Sequence, residues 1–353
     1  MRQRIPARAN GAKILRDLVR FQTENDPRAA ALLSPKGAQL DYTGLSAFID
    51  ETAAALLATG CAHEDRIAIL VPNGPEMMTA FLAATCSGTA APLNPAYGRD
   101  ELRFYLSDLA AKAVIVHSEL DSPIRTVASE LGIRVVELAP RPGEPAGCFD
   151  LSLSPARAEE GARVPGPESV ALILHTSGTT SRPKMVPLTH RNLLASAGSI
   201  SATYRLTPND RCLQVMPLFH IHGLVAGVLA SLASGGSIIC TPGFDASNVL
   251  QWMAELNPTW YTAVPTIHQA ILSVAKERPV EHSLRFIRSC SSALPPDVMS
   301  NLEEAFGVPV LEAYGMTEAA HQVSSNPLPP HPRKPGSVGT PTGPEVAIVD
   351  EAH

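Results

Sequence analysis

The sequence predicts an α/β fold in which helices cover mostly parallel sheets. Short apolar runs of strand length alternate with segments whose apolar residues recur at helical spacing. This alternation is typical of chains in which a helix connects each strand to the next. A stretch at 140–167 contains several Pro and Gly residues and interrupts the alternation, which then starts again. With 353 residues, the chain is long enough for two subdomains, which we place at 1–165 and 166–353.

The first half contains the simplest elements. Apolar residues at 45–57 recur at helical spacing and predict a helix. The segment 75–86 predicts another, with Pro75 in its first turn, where proline is tolerated. Buried strands are predicted at 66–71, 113–116 and 133–138.

The second half repeats the pattern. The apolar stretch 223–239 contains Ser and Gly residues and falls short of a membrane span, so we predict a buried helix followed by a strand. Residues 345–349 are expected to begin a further strand. The other predicted strands are 170–174, 212–216, 237–240, 260–263, 286–289 and 310–313, and the other predicted helices are 190–202, 246–256, 266–275 and 296–306.

Composition excludes some classes of protein. Hydrophobic residues make up 45% of the chain and charged residues 18%, as expected for a globular protein with a large interior. The net charge of −6 argues against a general nucleic-acid binder, which needs a basic face. None of the six cysteines lies in a CxxC pair, so we expect reduced core thiols and a cytoplasmic protein. The basic N-terminus lacks a signal-peptide core, which favours a solvated arm over a transit peptide.

The segment 176–184 has the composition of a phosphate-binding loop. Gly178 has no side chain and lets a phosphate approach the backbone closely. Lys184 supplies a mobile positive charge for a polyphosphate. A predicted strand precedes the loop and a predicted helix follows soon after, the setting in which backbone N–H groups converge on an anion. The hydroxyl donors around the glycine are Thr176, Ser177, Thr179, Thr180 and Ser181.

The Walker A pattern is the main competing interpretation of this loop. Pro183 precedes Lys184 where that pattern requires Gly, and Met185 follows where it requires Ser or Thr. These two departures disfavour a kinase or a GTPase. A polar surface loop without a ligand is the other alternative, and the combination of strand, glycine and lysine argues against it.

The loop resembles the signature of the acyl-adenylate-forming superfamily, which includes acyl-CoA synthetases, luciferases and the adenylation domains of peptide synthetases. Ser181 and Met185 stand where the usual family loop has Gly. The first change is familiar among members similar to oxalate–CoA ligases, whereas the second could alter loop flexibility. The same branch is indicated by the segments 181–184, 219–223, 259–268 and 318–321.

The segment 312–318 provides groups for a nucleotide. Tyr314 ends a predicted strand and can stack on adenine, and Gly315 allows a turn. Thr317 offers a hydroxyl to the α-phosphate, and Glu318 is a hard oxygen ligand suited to Mg²⁺. The alternative is that Glu318 is only an exposed acid at a helix start. By the resemblance, the adenine-binding residues are Ser292, Ala293, Glu312, Ala313, Tyr314 and Gly315, in the order that the family shows.

The segment 217–223 looks like the family segment that holds an aromatic gate beside the acyl pocket, with His220 in the gate position. His220 and His222 could also form half of a metal site or pack as core histidines. The resemblance implies an acyl-binding set of His220, His222, Ser291 and His321. Because long acyl chains need apolar walls, these polar groups favour a short diacid whose second carboxylate needs a partner.

The resemblance therefore implies an ATP-dependent ligase. It would convert a carboxylic acid, expected to be short and polar such as oxalate, to an acyl-adenylate with release of pyrophosphate, and then transfer the acyl group to coenzyme A. The implied catalytic residues are Lys184, His220, Thr317 and Glu318, with Glu318 binding Mg²⁺.

The resemblance covers the large N-terminal domain of the family fold, with two sheets in a layered arrangement. The ribose-binding Asp, the hinge and the small C-terminal domain with its catalytic lysine are not found in this sequence, so we expect the chain to be impaired alone. The alternatives are an adenylation domain of a carrier-protein system, a fatty or aromatic acyl-CoA ligase, and a non-catalytic ATP-binding module.

Overall fold

The computed structural model describes residues 11–152, 165–176, 183–276 and 281–350. Within them, two sheets are flanked by helices. The strands are β1 (Ala30–Leu33), β2 (Leu40–Asp41), β3 (Arg66–Leu70), β4 (Thr89–Pro92), β5 (Ala113–His117), β6 (Arg134–Pro140), β7 (Phe149–Ser152), β8 (Val170–Thr176), β9 (Lys184–Thr189), β10 (Arg211–Gln214), β11 (Ser237–Cys240), β12 (Trp260–Ala263), β13 (Phe286–Ser289), β14 (Val310–Met316), β15 (His321–Ser325) and β16 (Thr340–Pro341).

The α-helices are α1 (Leu15–Asn25), α2 (Tyr42–Ala58), α3 (Pro75–Ser87), α4 (Arg99–Asp108), α5 (Ile124–Glu130), α6 (His190–Thr203), α7 (Ala230–Ser234), α8 (Val249–Leu256), α9 (Pro265–Ala275) and α10 (Pro296–Phe306). A π-helix covers His222–Leu229, and a 3₁₀ turn covers Thr317–Ala319. Several helices begin where their sequence dictates. Pro75, Pro265 and Pro296 occupy first turns, and the Thr189 hydroxyl caps α6 by accepting the N–H of Asn192.

Both sheets are mostly parallel, which confirms the predicted fold class. The seven-stranded sheet has the order β7-β6-β5-β3-β4-β8-β9, with antiparallel pairs at its two edges. The nine-stranded sheet has the order β16-β15-β14-β13-β12-β10-β11-β1-β2, and its central strands from β14 to β1 are parallel. The largest hydrophobic cluster joins α1, α2, α3, α6 and the π-helix to both sheets.

The chain begins in the nine-stranded sheet, forms the whole seven-stranded sheet, and then returns to the nine-stranded sheet. The hairpin of β1 and β2 lies in the nine-stranded sheet, beside β11. The hairpin of β8 and β9 completes the seven-stranded sheet by pairing with β4. The predicted subdomain boundary near residue 165 stays a prediction. Each of the two sheets contains strands from both sides of that residue.

The apolar stretch 223–239 forms a buried helix followed by β11, as predicted, but its first part is a π-helix. Gln214 explains the wider turn. Its buried carboxamide lies against Gly223 and Gly227, where an added Cβ would overlap the Gln214 side chain. No helix in the described ranges is long and apolar enough to cross a membrane.

Two predicted features differ from the structure. The strand expected at 345–349 is wrong, because residues 345–350 have no regular structure and the side chains of Val346, Ile348 and Val349 are exposed. A strand forms only where a neighbour accepts its backbone hydrogen bonds, and the described residues provide none there. The connection at 140–167 contains β7, which pairs with β6, while residues 153–164 lie outside the described ranges.

Candidate active site

The candidate site lies at the carboxyl ends of the parallel strands β12, β13 and β14. Ligands of α/β proteins bind at this edge because the loops after the strands converge there. The π-helix reaches the same edge from β10, and β15 returns to it from the 3₁₀ turn. Most residues that the sequence singled out follow one of these elements.

Arg288 lies at the centre of the buried part of the site. It belongs to β13, and its side chain is 0% exposed. The guanidinium donates to the phenol oxygen of Tyr204 at 3.0 Å, to Oγ1 of Thr262 at 2.9 Å and to Oε1 of Gln322 at 3.0 Å. No carboxylate pairs with it within the described ranges. A buried cation without a counterion is costly, and this arrangement therefore favours an anionic ligand.

Two histidines complete the surroundings of the guanidinium. Nη1 of Arg288 lies 3.3 Å from Nε2 of His222, and Nη2 lies 3.2 Å from Nε2 of His321. The two imidazole rings stack with their centroids 5.0 Å apart. Burial lowers the pKa of both rings well below the usual value, and the Arg288 charge lowers each pKa further. Both histidines are therefore neutral at pH 7, and Arg288 provides the positive charge.

We call Arg288, Gln322, His222 and His321 the buried cluster. Ser291 joins its outer side, because its hydroxyl lies 3.0 Å from Nδ1 of His222. The structure thus brings three of the four predicted acyl-binding residues together.

His220 differs from these residues. It is exposed, and its ring packs against Phe219 with the centroids 4.7 Å apart. No hydrogen bond connects this ring to the buried cluster in the part of the chain that the structure describes. Its gate position stays a prediction.

The predicted adenine side is more open. Tyr314 is 47% exposed at the end of β14. Gly315 is required beside it, since a Cβ would overlap the carbonyl oxygen of His321 on β15. Ser292 and Ala293 are exposed in the loop after β13. Three of the residues predicted to bind adenine, namely Ser292, Ala293 and Tyr314, are therefore open to solvent.

Glu312 and Ala313 have buried side chains. The Glu312 carboxylate accepts the backbone N–H of Gly336 at 2.9 Å, and burial raises the pKa of this carboxyl. The Glu312 side chain therefore holds the glycine-rich turn at 336–339 against the site. Its predicted contact with adenine stays a prediction.

The predicted phosphate-binding loop begins at the end of β8 and ends at the start of β9, two strands that pair antiparallel. Thr176 and Lys184 face each other at its mouth, in register across the two strands, and Lys184 is exposed. The predicted phosphate-binding residues between them, namely Ser177, Gly178, Thr179 and Thr180, lie outside the described residues. The hairpin itself places both ends of this loop at the edge of the seven-stranded sheet.

Thr317 and Glu318 lie on the 3₁₀ turn directly after β14, and Glu318 is exposed. Strand β9 packs against this turn, so the strand that begins with Lys184 is next to Glu318. Both elements line an open cleft of about 1040 Å³. One exposed carboxylate suits Mg²⁺, which keeps several waters and binds phosphate oxygens. Among the described residues, no three His, Cys, Asp or Glu side chains come together in a way that could hold a metal ion.

Sequence reasoning missed Arg288, Gln322 and Tyr204. A signal for Arg288 was present, because it is the one charged residue in the four-residue strand Phe286–Ser289, which is otherwise suited to a buried sheet. Gln322 and Tyr204 carry no such signal, since their role depends on where β15 and α6 meet.

Known proteins similar to this chain include CoA ligases. A CoA ligase of Humulus lupulus, named as probable, is 45% identical over 97% of this chain and 66% of its own length. An oxalate–CoA ligase of Arabidopsis thaliana is 46% identical over 88% of this chain and 62% of its own length. The chain thus spans about two thirds or less of the length of these relatives.

The crystal structure of ATP-bound MatB from Rhodopseudomonas palustris superposes with a TM-score of 0.78 at 29% identity, over 93% of this chain and 64% of that one. Residues 19–353 match the sequence profile described as AMP-binding enzyme. A match of this extent, with relatives at this identity, shows that the chain belongs to the AMP-binding enzyme family.

Proposed function

We propose that this chain forms the nucleotide- and acid-binding part of an enzyme that activates a short dicarboxylic acid, with oxalate as the first candidate, to its acyl-adenylate. The observation on which the proposal rests is Arg288, a buried guanidinium surrounded by neutral partners. The Arabidopsis relative, named an oxalate–CoA ligase, supports the same choice of acid.

The second carboxylate of a diacid would supply the charge that Arg288 lacks. A guanidinium binds a carboxylate through parallel N–H donors, which gives both affinity and orientation. Here the carboxylate would take over the N–H groups that now point to Nε2 of His222 and Nε2 of His321. The neutral rings of His222 and His321 add polar contacts without a second charge. A monocarboxylic acid would place an apolar group against the guanidinium and leave it unpaired, which is costly. Such a site would select acids that carry a second carboxylate, at the end of the molecule that does not react.

The reaction needs no nucleophile from the protein. One carboxylate oxygen of the acid attacks the α-phosphorus of ATP, the bond to the bridging oxygen of the β-phosphate breaks, and pyrophosphate leaves. Catalysis then consists of positioning and charge stabilisation. Lys184 and the loop at 176–184 would bind the β- and γ-phosphates, and Thr317 would donate to the α-phosphate. Glu318 would hold Mg²⁺, which neutralises phosphate charge when bound.

The acyl-adenylate is then consumed by coenzyme A. The thiol sulfur attacks the acyl carbon, loses its proton, and displaces AMP, so that the products are the acyl-CoA and AMP. Tyr314 would stack on the adenine during both steps, which keeps the leaving AMP in place.

A pyrophosphate-release assay tests the proposal. The chain is supplied with ATP, Mg²⁺ and one acid at a time, namely oxalate, malonate, acetate or hexanoate, and calorimetric titration of each acid measures binding independently of turnover. Because we expect the chain to be impaired alone, oxalate should bind and support slow release, with less of both for malonate and none for hexanoate. A preference for acetate or hexanoate would contradict the proposed substrate class, and ATP binding with neither binding of an acid nor release would favour a non-catalytic module.

A further inference from the structure

Gln322 lies on β15 and is buried, and its carboxamide is fully hydrogen-bonded. Oε1 accepts from Nη2 of Arg288 at 3.0 Å and from the hydroxyl of Tyr204 at 3.2 Å. Nε2 donates to Oγ1 of Thr342 at 3.0 Å and to Oγ1 of Thr203 at 3.4 Å. The donors on Arg288 require an acceptor, so the orientation of the amide follows from its neighbours. The oxygen end therefore faces the cation and the nitrogen end faces two hydroxyls.

Glutamate would fit the same space. It differs from glutamine by one terminal atom, and the hydroxyls of Thr342 and Thr203 can rotate to donate instead of accept. A glutamate at 322 would thus keep the contacts of the amide, while the two hydroxyls give up the bonds that they now donate to the carbonyl oxygens of Ser199 and Val323. It would also place a carboxylate about 3 Å from the Arg288 guanidinium, forming a buried ion pair.

The other partners of Arg288 leave its charge uncompensated. Tyr204 and Thr262 are neutral hydroxyl groups, and His222 and His321 are neutral because both rings are buried next to a cation. Among these partners of Arg288, Gln322 is the residue at which replacing one atom, by the change to glutamate, would give the guanidinium a counterion.

We infer that Gln322 is a specificity-determining residue that orients Arg288 by hydrogen bonding and leaves its charge available for the second carboxylate of the acid. The inference depends on the proposed function. Gln322 acts through Arg288 and is therefore a positioning residue. Because the Gln322 amide is neutral, the counterion of Arg288 has to come from the second carboxylate of the acid.

The test compares Gln322→Glu with the wild-type chain and with Gln251→Glu. Gln251 is exposed on α8, where its amide bonds Glu255, so this control makes the same chemical change away from the site. For each protein, the KM for oxalate and for ATP is measured by pyrophosphate release, the Kd for oxalate by calorimetry, and the unfolding midpoint by urea titration.

We expect Gln322→Glu to raise the KM and Kd for oxalate at least about 30-fold, the effect of losing a buried charged contact. The KM for ATP should stay within about twofold, and the unfolding midpoint should not fall, because an ion pair replaces a hydrogen bond. Gln251→Glu should match the wild type in the KM and Kd for oxalate and in the KM for ATP, with a slightly lower midpoint because its carboxylate then faces Glu255. A merely structural role for Gln322 would instead lower the midpoint and affect both substrates.

The outcomes separate the two proposals. A wild-type chain that neither binds nor uses oxalate contradicts the proposed function. A wild-type chain that binds oxalate, with a folded Gln322→Glu variant that binds it equally well, contradicts only the inference about Gln322. Gln322→Leu gives a second measurement, since it keeps the charge of Arg288 but removes its acceptor, and should weaken oxalate binding less than Gln322→Glu does.

Discussion

The two halves of the candidate site differ in how they are built. On the proposed acid side, the buried cluster is closed to solvent and each side chain in it is fixed by neighbours from other elements of the fold. On the proposed nucleotide side, Tyr314, Lys184 and Glu318 are exposed and lie on strand ends and a turn. A small acid has few groups with which to be recognised, so its pocket must be rigid beforehand. ATP brings several charges of its own and can bind to an open surface.

The largest effect should come from removing the charge of the buried cluster. Arg288→Met keeps most of the side-chain volume but deletes the donors to Tyr204, Thr262 and Gln322. Truncating a buried charged partner costs about 2–5 kcal/mol, so the KM for oxalate should rise by about 30-fold to 4000-fold. Steady-state pyrophosphate release measures it.

Arg285→Met is the matched control. Arg285 lies just before the same strand, is partly exposed and pairs with Asp210 at 2.8 Å. This variant should lose some stability but keep its KM for oxalate. If both variants changed the KM equally, the contrast between the two halves of the site would be lost.

The buried histidines should make the folded protein less stable as the pH falls. Burial lowers the pKa of His268 to about 3 and that of His190 to about 4, and it lowers the pKa of His222 and His321 as well. Between pH 6.5 and 4, the unfolded chain takes up protons that the folded chain does not, so the free energy of unfolding must fall as pH falls. Each such histidine contributes up to about 1.4 kcal/mol per pH unit.

Urea titrations at pH 7.5, 6.5 and 5.5 measure this dependence. His268→Gln, at a position outside the buried cluster, should flatten this dependence by the share of one histidine. A free energy of unfolding that stayed constant down to pH 5.5 would mean that the buried rings take up protons in the folded state.

Tyr314→Ala should affect the nucleotide side alone. The ring is 47% exposed and contributes little to packing. Loss of stacking on a base costs about 1 kcal/mol, which corresponds to about a fivefold weaker binding of ATP. Calorimetric titration with ATP checks this, and the Kd for oxalate serves as the internal control. A large drop in the unfolding midpoint would show that the tyrosine belongs to the folded core instead.

Lys184→Ala should give the smallest change. The exposed side chain has no ion-pair partner in the described ranges, so the free energy of unfolding should change by less than about 0.5 kcal/mol. Binding of ATP should weaken by about two- to fivefold, the value of one solvent-exposed charge contact. Lys276→Ala, an exposed lysine at the end of α9, should not change ATP binding at all.

Much of the fold could be predicted because local pattern and final structure agree. The helix predicted at 296–306 is α10 to the residue, since Pro296 starts it and Gly307 ends it in a left-handed conformation. Strand β9 was not predicted, because Pro187 interrupts its pattern. Proline is tolerated there since β9 lies at the edge of its sheet. Edge position is a property of the whole sheet and cannot be seen locally.

The site was predictable only where a motif is continuous in sequence. Tyr314, Thr317 and Glu318 follow one strand, so their neighbourhood was evident from spacing. The partners of Arg288 come from α6, β12, β15 and the π-helix. Such a cluster is created by the order of strands in the sheet, which short-range patterns do not encode.

The first two strands of the chain belong to the sheet that is otherwise formed last, and this order affects how the nascent chain folds. Leu32 pairs in parallel with Ile238, and β1 stays without its inner neighbour until β11 has been synthesised. An unpaired apolar strand edge attracts other chains, and contacts between distant segments form slowly. A shortened version that ends between Thr189 and Ser237 should therefore aggregate rather than fold, even though it contains the complete seven-stranded sheet.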